Sequence, residues 1–276
     1  MNTNFSADKS PILRNLSGVR ILITRPEHQA EKLKYLLEQH GATVLLQPAI
    51  QILPPETWEQ ADNAIANLDS YNYIVFSSVN GVEMYLRRLN EINGSCKMPS
   101  NIFVAAVGDS TAQALNEAGI HVDIIPDNFR AENLAERLLE NIAEQFGENC
   151  GEVKVLLLRA SRGRDVLAPS LGKCGIITEQ IPIYRSVDVT QPRAEIVKAL
   201  QNNQIDWVAL TSSAIAQSTI NMLGEFLGNA KIACISPITE STVIKNGFHA
   251  AAVAKEYTLE GLVRAVAEAT CPAPYK

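Results

Sequence analysis

Six short polar stretches share one property: each follows a run of apolar residues. They are Thr24-Arg25, Ser77-Ser78-Val79-Asn80-Gly81, Gly108-Asp109-Ser110-Thr111, Arg159-Ala160-Ser161-Arg162, Thr211-Ser212-Ser213 and Ser236-Pro237-Ile238-Thr239. Hydroxyls, backbone amides and arginines at the ends of strands can receive carboxylates or phosphates. The same Ser, Thr and Asp residues can equally cap the helices that follow, and for any one of them capping is the simpler reading. Taken as a set, they point to an anion-binding cleft between two domains. Arg25 and Arg159 each fit either an anion clamp or a surface arginine covering a helix end, whereas Arg162 and Arg164 fit a solvated role. Tyr184 is the acid–base-capable side chain of an extended connector, Gln180-Ile181-Pro182-Ile183-Tyr184-Arg185. Its phenol could donate a proton to a leaving hydroxyl. It could also be an aromatic plug in a hinge, and the local sequence favours the plug.

Several other chemistries lack their residues. No Gly-x-x-x-x-Gly-Lys-Ser/Thr loop occurs, and no Gly-x-Gly-x-x-Gly follows a strand, so nucleotide and dinucleotide cofactors are unsupported. There is no Gly-x-Ser-x-Gly elbow with spaced His and Asp partners. The five cysteines, Cys96, Cys150, Cys174, Cys234 and Cys271, form no Cys-x-x-Cys pair, and the four histidines are scattered. This is neither a disulfide framework nor a zinc site, so no metal is expected. A net charge of −6 argues against a nucleic-acid partner, which would want a clustered basic face. No apolar run is long enough to span a bilayer. The polar start, Met1 to Ser17, lacks the apolar segment of a secretory signal, and a cytoplasmic location is expected.

The elements that must position these residues occur twice. Val19-Arg20-Ile21-Leu22-Ile23-Thr24-Arg25 is echoed by Val153-Lys154-Val155-Leu156-Leu157-Leu158-Arg159. Gly41 follows Arg25 and Gly175 follows Arg159 at sixteen positions; Ser78 and Ser212 follow the same arginines at 53. After a six-residue contraction, Thr111, Gly119 and Glu132 answer to Thr239, Gly247 and Glu260. So long a period marks a duplicated α/β domain, not a solenoid. Strands are expected at Val19–Ile23, Thr43–Leu46, Tyr73–Phe76, Phe103–Val107, Val122–Ile125, Trp207–Leu210, Lys231–Ile235 and Ala250–Val253. Helices are expected after Pro26, with Ala30, Leu33 and Leu37 inward, and at Val82–Leu89, Thr111–Ala118, Ala131–Ala143, Ala214–Leu223, Thr239–Lys245 and Leu259–Ala269. The tail from Cys271 to Lys276 reads as loose. Strand and helix alternating throughout mean α/β with parallel sheets. The proline-bracketed segment Gln47 to Pro55 and its counterpart around Pro182 suit edge or connector strands.

At these residues the chain resembles the uroporphyrinogen-III synthase family. The resemblance rests on Phe-Ser-Ser-x-Asn-Gly-Val from Phe76, Ala-Val-Gly-x-x-Thr-Ala from Ala106, Ala-Glu-x-Leu from Ala131 and Leu-Leu-Arg-Ala from Leu157. It continues through the Tyr184 connector, Leu-Thr-Ser-Ser from Leu210, Ser-Pro-x-Thr from Ser236 and Thr-x-x-Gly-Leu from Thr258. It implies two flavodoxin-like, or Rossmann-like, domains joined by a two-stranded connector. Residues 1–47 with 187–276 would form one domain, 54–180 the other, and 48–53 with 181–186 the connector; a sequential split near Glu148 is the simpler alternative. The implied reaction closes hydroxymethylbilane, a linear tetrapyrrole bearing many carboxylates, into uroporphyrinogen III. The terminal pyrrole is inverted and water is lost, with no cofactor. Tyr184 would assist departure of the hydroxyl. Arg25, Ser77, Ser78, Gly108, Thr111, Arg159, Ser212, Ser213, Ser236 and Thr239 would hold the substrate. A monomer receiving its small-molecule substrate by hand-over from the preceding pathway enzyme goes with this reading, and neither nucleic acid nor membrane does. One departure from the family pattern is Glu240, where Ala is common; a carboxylate there would oppose an anionic substrate unless it points away. The competing classes are a non-catalytic two-domain protein that binds a small anion, and a synthase-like protein without activity.

Overall fold

The computed structural model describes residues 16–128, 131–163 and 165–270. The expectations for most of the polar start, Arg164 and the tail from Cys271 lie outside these residues. The chain divides into two units. The first takes the described residues up to Gln51 and those from Val187 onward; the second is Ile52–Ser186.

In the first unit, β1 (Arg20–Ile23), β2 (Thr43–Leu46), β8 (Trp207–Leu210), β9 (Lys231–Cys234) and β10 (Ala250–Val253) form a parallel sheet in the order β10-β9-β8-β1-β2. Ile21, Leu22 and Ile23 are fully buried, as a central strand covered on both faces requires. Ile21 and Ile23 join Trp207, Ala209 and Ala233 in one core. This core is closed by Leu33 and Leu37 of α1 (Glu27–Gln39) and by Leu262, Val263 and Val266 of α10 (Leu259–Thr270). Each such side chain contributes on the order of 1.5–3 kcal/mol by leaving water. Gly41 ends α1 at φ +87°, a left-handed conformation that a Cβ would strain, with its N–H on the Glu38 carbonyl at 2.9 Å. On the other side stand α7 (Ala194–Gln201), α8 (Ser213–Leu223) and α9 (Pro237–Lys245), with Leu200, Leu223 and Val243 buried.

In the second unit, β3 (Ile50–Leu53), β4 (Tyr73–Phe76), β5 (Phe103–Ala106), β6 (Lys154–Ala160) and β7 (Ile177–Asp188) follow the order β3-β7-β6-β4-β5. The unit boundary falls inside β3 and inside β7. Alternation along β4 feeds two cores. Ile74 and Phe76 pack with Ala61 and Ala64 of α2 (Glu59–Ala66), Tyr85 and Leu89 of α3 (Val79–Asn93) and Leu115 of α4 (Asp109–Glu117). Tyr73 and Val75 face Leu134, Leu138 and Ile142 of α5 (Ala131–Phe146) and Leu167 and Leu171 of α6 (Leu167–Gly172).

The strand orders show how the repeat is used. The leading β–α–β of the first sequence copy, β1-α1-β2, lies with the trailing strands of the second copy. The leading β–α–β of the second copy, β6-α6-β7, lies with β4 and β5 of the first. In the first unit this gives the doubly wound order 2-1-3-4-5, with its switch point between β1 and β8; the corresponding junction of the second unit lies between β6 and β4.

Two expectations need correction. Val122–Ile125 is not a strand but a single bridge between Ala105 and Ile124. The Asp123 carboxylate takes the Val104 N–H at 2.7 Å, where a backbone carbonyl would continue a ladder, and Pro126 follows. Of the two roles expected for the Pro182 segment, edge or connector, the edge is excluded: β7 lies between β3 and β6. Its proline is tolerated because the register with β6 shifts there, Arg159 opposing Pro182 and Ala160 opposing Tyr184.

Candidate active site

That register shift shapes the second unit's carboxyl edge. Regular alternation would send Ile183 and Tyr184 to opposite faces. Both instead pack in the same core as Ile181 and Phe76, and Tyr184 is only 6% exposed. A bulge beside a site commonly re-aims a side chain in this way. The Tyr184 hydroxyl meets Ser78 Oγ at 3.0 Å. Ser78 is held by its own role: it caps α3, accepting the Gly81 N–H at 3.1 Å. A Cβ on Gly81 would come within 3.3 Å of that oxygen, so glycine leaves the serine its room. Ser77 donates to the Leu158 carbonyl at 3.0 Å and fixes the end of β4 against β6.

Beside Tyr184 lies a cavity of about 230 Å³, which Ser77, Arg159, Ala160, Arg162 and Asp165 also line. Arg159 is well engaged. It donates to Gln180 Oε1 at 2.8 Å and to the Gly163 carbonyl at 2.9 Å, with Asp165 at 3.5 Å. Gln180 in turn donates to Asp165 at 3.0 Å. Arg162, exposed at the rim, donates to Ser186 Oγ at 3.0 Å. Gly108 and Thr111 start α4 on this sheet but do not line the cavity; Thr111 is buried in the first turn. Asp165 and Gln180 were missed in the sequence, since nothing local marks them as partners of Arg159.

The first unit's carboxyl edge holds a different set. Thr24 is fully buried and donates to the Ala209 carbonyl at 3.3 Å, tying β1 to β8. Arg25 follows, half-buried, with Nη2 3.5 Å from Gln29 Oε1 and a buried Nε that has no partner among the described residues. Burial pushes its guanidinium below the ordinary arginine value. Ser212 caps α8 through the Ile215 N–H at 3.2 Å, and Ser213 donates to the Ile238 carbonyl at 3.2 Å. Ser236 caps α9 through the Thr239 N–H, and its hydroxyl lies 3.1 Å from that of Thr239, which is 1% exposed. Glu240, in the same first turn, helps burial push the Cys234 thiol up to about 12. Among the described residues no group of three or more His, Cys, Asp or Glu side chains could hold a metal, and no helix is long and apolar enough to cross a membrane.

The fold defines a duplicated, doubly wound α/β protein with polar residues at the carboxyl edges of both sheets. The sequence profile of the family described as "Uroporphyrinogen-III synthase HemD" matches residues 31–264. The uroporphyrinogen-III synthase of Synechococcus elongatus is 30% identical over 261 residues, 91% of this chain and 95% of that protein. The porphyrin biosynthesis protein HemD of Ruminiclostridium josui is 27% identical over 90% of this chain, which spans 46% of that longer protein. A Thermus thermophilus uroporphyrinogen III synthase mutant superposes with a TM-score of 0.60 at 17% identity, over 91% of this chain and 98% of that one. A Helicobacter pylori uroporphyrinogen-III synthetase also gives 0.60, at 20% identity over 89% and 96%. The chain belongs to the uroporphyrinogen-III synthase family, cyclising hydro-lyases of porphyrin biosynthesis.

Proposed function

We propose that this chain closes hydroxymethylbilane into uroporphyrinogen III with inversion of the terminal ring, and that the second unit's carboxyl edge carries the chemistry. The observation behind this reading is Tyr184, whose hydroxyl lies 3.0 Å from Ser78 Oγ and which lines a cavity together with Ser77 and Arg159. Breaking the C–O bond leaves the electron pair on oxygen, which takes the phenol proton and departs as water. Ring closure through a spirocyclic intermediate releases a proton from carbon, which restores the phenol. Unaided closure gives the uninverted isomer, so the protein's larger task is to hold the chain for attack at the substituted carbon. Arg25, Ser212, Ser213, Ser236 and Thr239 on one unit, and Ser77, Gly108 and Thr111 on the other, bind substrate in this reading, while Ser78 and Arg159 are held by partners within the protein. Buried donors of this kind suit carboxylates because a desolvated cation without a partner is costly until an anion arrives. The enzyme acts as a cytoplasmic monomer, supplied by hand-over from the preceding enzyme, and needs no cofactor.

The test supplies freshly generated hydroxymethylbilane, oxidises the products and separates porphyrin isomers I and III. Predominant isomer III above the enzyme-free blank is expected. Isomer I alone, at the blank's rate, would sink the proposal and favour a binding protein.

A further inference from the structure

Ser78 sits behind Tyr184, not in front of it. Tyr184 lines the cavity and Ser78 does not. The serine oxygen already accepts the Gly81 N–H, a backbone donor whose direction cannot be reversed. One proton and one remaining lone pair are then left to it. Among the described residues the tyrosine is its other hydroxyl partner, at 3.0 Å. Two arrangements satisfy that contact. If the phenol donates to Ser78, the tyrosine proton points away from the cavity and the serine proton needs a further acceptor. If Ser78 donates to the phenol oxygen, the serine is satisfied from within the protein and the one proton left over is the tyrosine's, free to face the cavity. Ser77 offers no alternative, because its hydroxyl is committed to the Leu158 carbonyl.

We infer that Ser78 is a positioning residue that donates its hydroxyl proton to the Tyr184 oxygen, so that the phenol proton is presented to the cavity. The capping role and this one are joined: the Gly81 N–H and the crowding at Gly81 fix the serine rotamer, and the rotamer fixes the direction of the donated bond. When the phenol gives up its proton, the same bond becomes charge-assisted and strengthens. This assignment rests on Tyr184 acting as the proton donor to the leaving hydroxyl. It differs from the reading in which Ser78 touches a substrate carboxylate, because its hydrogen-bonding capacity is filled from within the protein.

The experiment compares Ser78→Gly, Ser78→Asp, Ser78→Thr, Tyr184→Phe and the Ser78→Gly/Tyr184→Phe pair for kcat and KM in isomer III formation. Glycine replaces serine at a helix cap with little loss of stability, so the first variant should fold. Its kcat should fall about five- to tenfold, the size of one hydrogen bond, with KM changed less than about twofold. Aspartate also caps the helix but accepts a proton where serine gives one, and should lower kcat at least as far; threonine should recover most of the loss. In the Tyr184→Phe background, Ser78→Gly should have no further effect. Full kcat in both the Gly and Asp variants, or losses that simply add in the pair, would overturn the inference while leaving Tyr184 in place. Unchanged turnover in Tyr184→Phe would instead remove the proton-donor reading itself.

Discussion

The two carboxyl edges descend from one repeated pattern and have taken different chemistry. Arg25 and Arg159 follow equivalent strands, and Ser212 and Ser78 cap equivalent helices by the same bond. Where the second sequence copy has Tyr184, two residues after Pro182, the first has Ile50, two residues after Pro48, and Ile50 is 4% exposed. Only one copy therefore carries a phenol at this point. The arginines diverge as well. Arg159 is tied to Gln180, Gly163 and Asp165, whereas the buried Nε of Arg25 has no partner among the described residues. One edge thus holds the proposed proton donor, and the other an arginine with an unpartnered buried nitrogen.

The largest expected effect tests the phenol. Tyr184→Phe removes the proton and keeps the ring, so kcat should fall about 100-fold with the melting temperature nearly unchanged. A comparable loss of folding would make the residue a plug. Arg159→Met should act mainly on stability. It strands the Gly163 carbonyl and Gln180, and urea unfolding should show about 2 kcal/mol lost. Arg25→Met should do the reverse. KM should rise about tenfold, or about 1.4 kcal/mol, while stability holds or improves slightly, because an unpaired half-buried cation is removed. If the two arginine variants behave alike, the division between the edges fails.

Much of the fold was legible because its cues are local. Apolar runs marked β1, β4 and β8; the 3.6-residue spacing of Ala30, Leu33 and Leu37 marked α1; and Gly41, Gly119 and Gly247 marked helix ends, each with positive φ. What escaped was short or non-local. Helices α2, α6 and α7 run eight, six and eight residues, too few turns for a periodic pattern to stand out. The strand at Val122–Ile125 was lost to one side chain, Asp123, taking over a backbone bond. At the candidate site the hydroxyls were legible as types, but their partners were not. Ser78 and Tyr184 are 106 residues apart in sequence, and the register shift that turns the phenol toward the serine exists only once β6 and β7 have paired.

The smallest effect concerns Glu240, which has no equivalent at the second unit's edge: Ala112 follows Thr111 where Glu240 follows Thr239. In the first turn of α9 a carboxylate is favoured by the helix dipole, so Glu240→Gln should cost a few tenths of a kcal/mol in stability. The same charge is felt at Cys234, where it adds to burial in holding the thiol up at about 12. A field that reaches the end of β9 should also oppose an anionic substrate at that edge. Removing it should lower KM about twofold at low ionic strength, and the gain should shrink as salt approaches about 0.5 M, because exposed charges are then screened within a few ångströms. An advantage that persists at high salt would mean a contact and not a field. No advantage at all would place the substrate's carboxylates out of reach of α9, leaving Arg25 as the stronger marker of where the first unit meets its ligand.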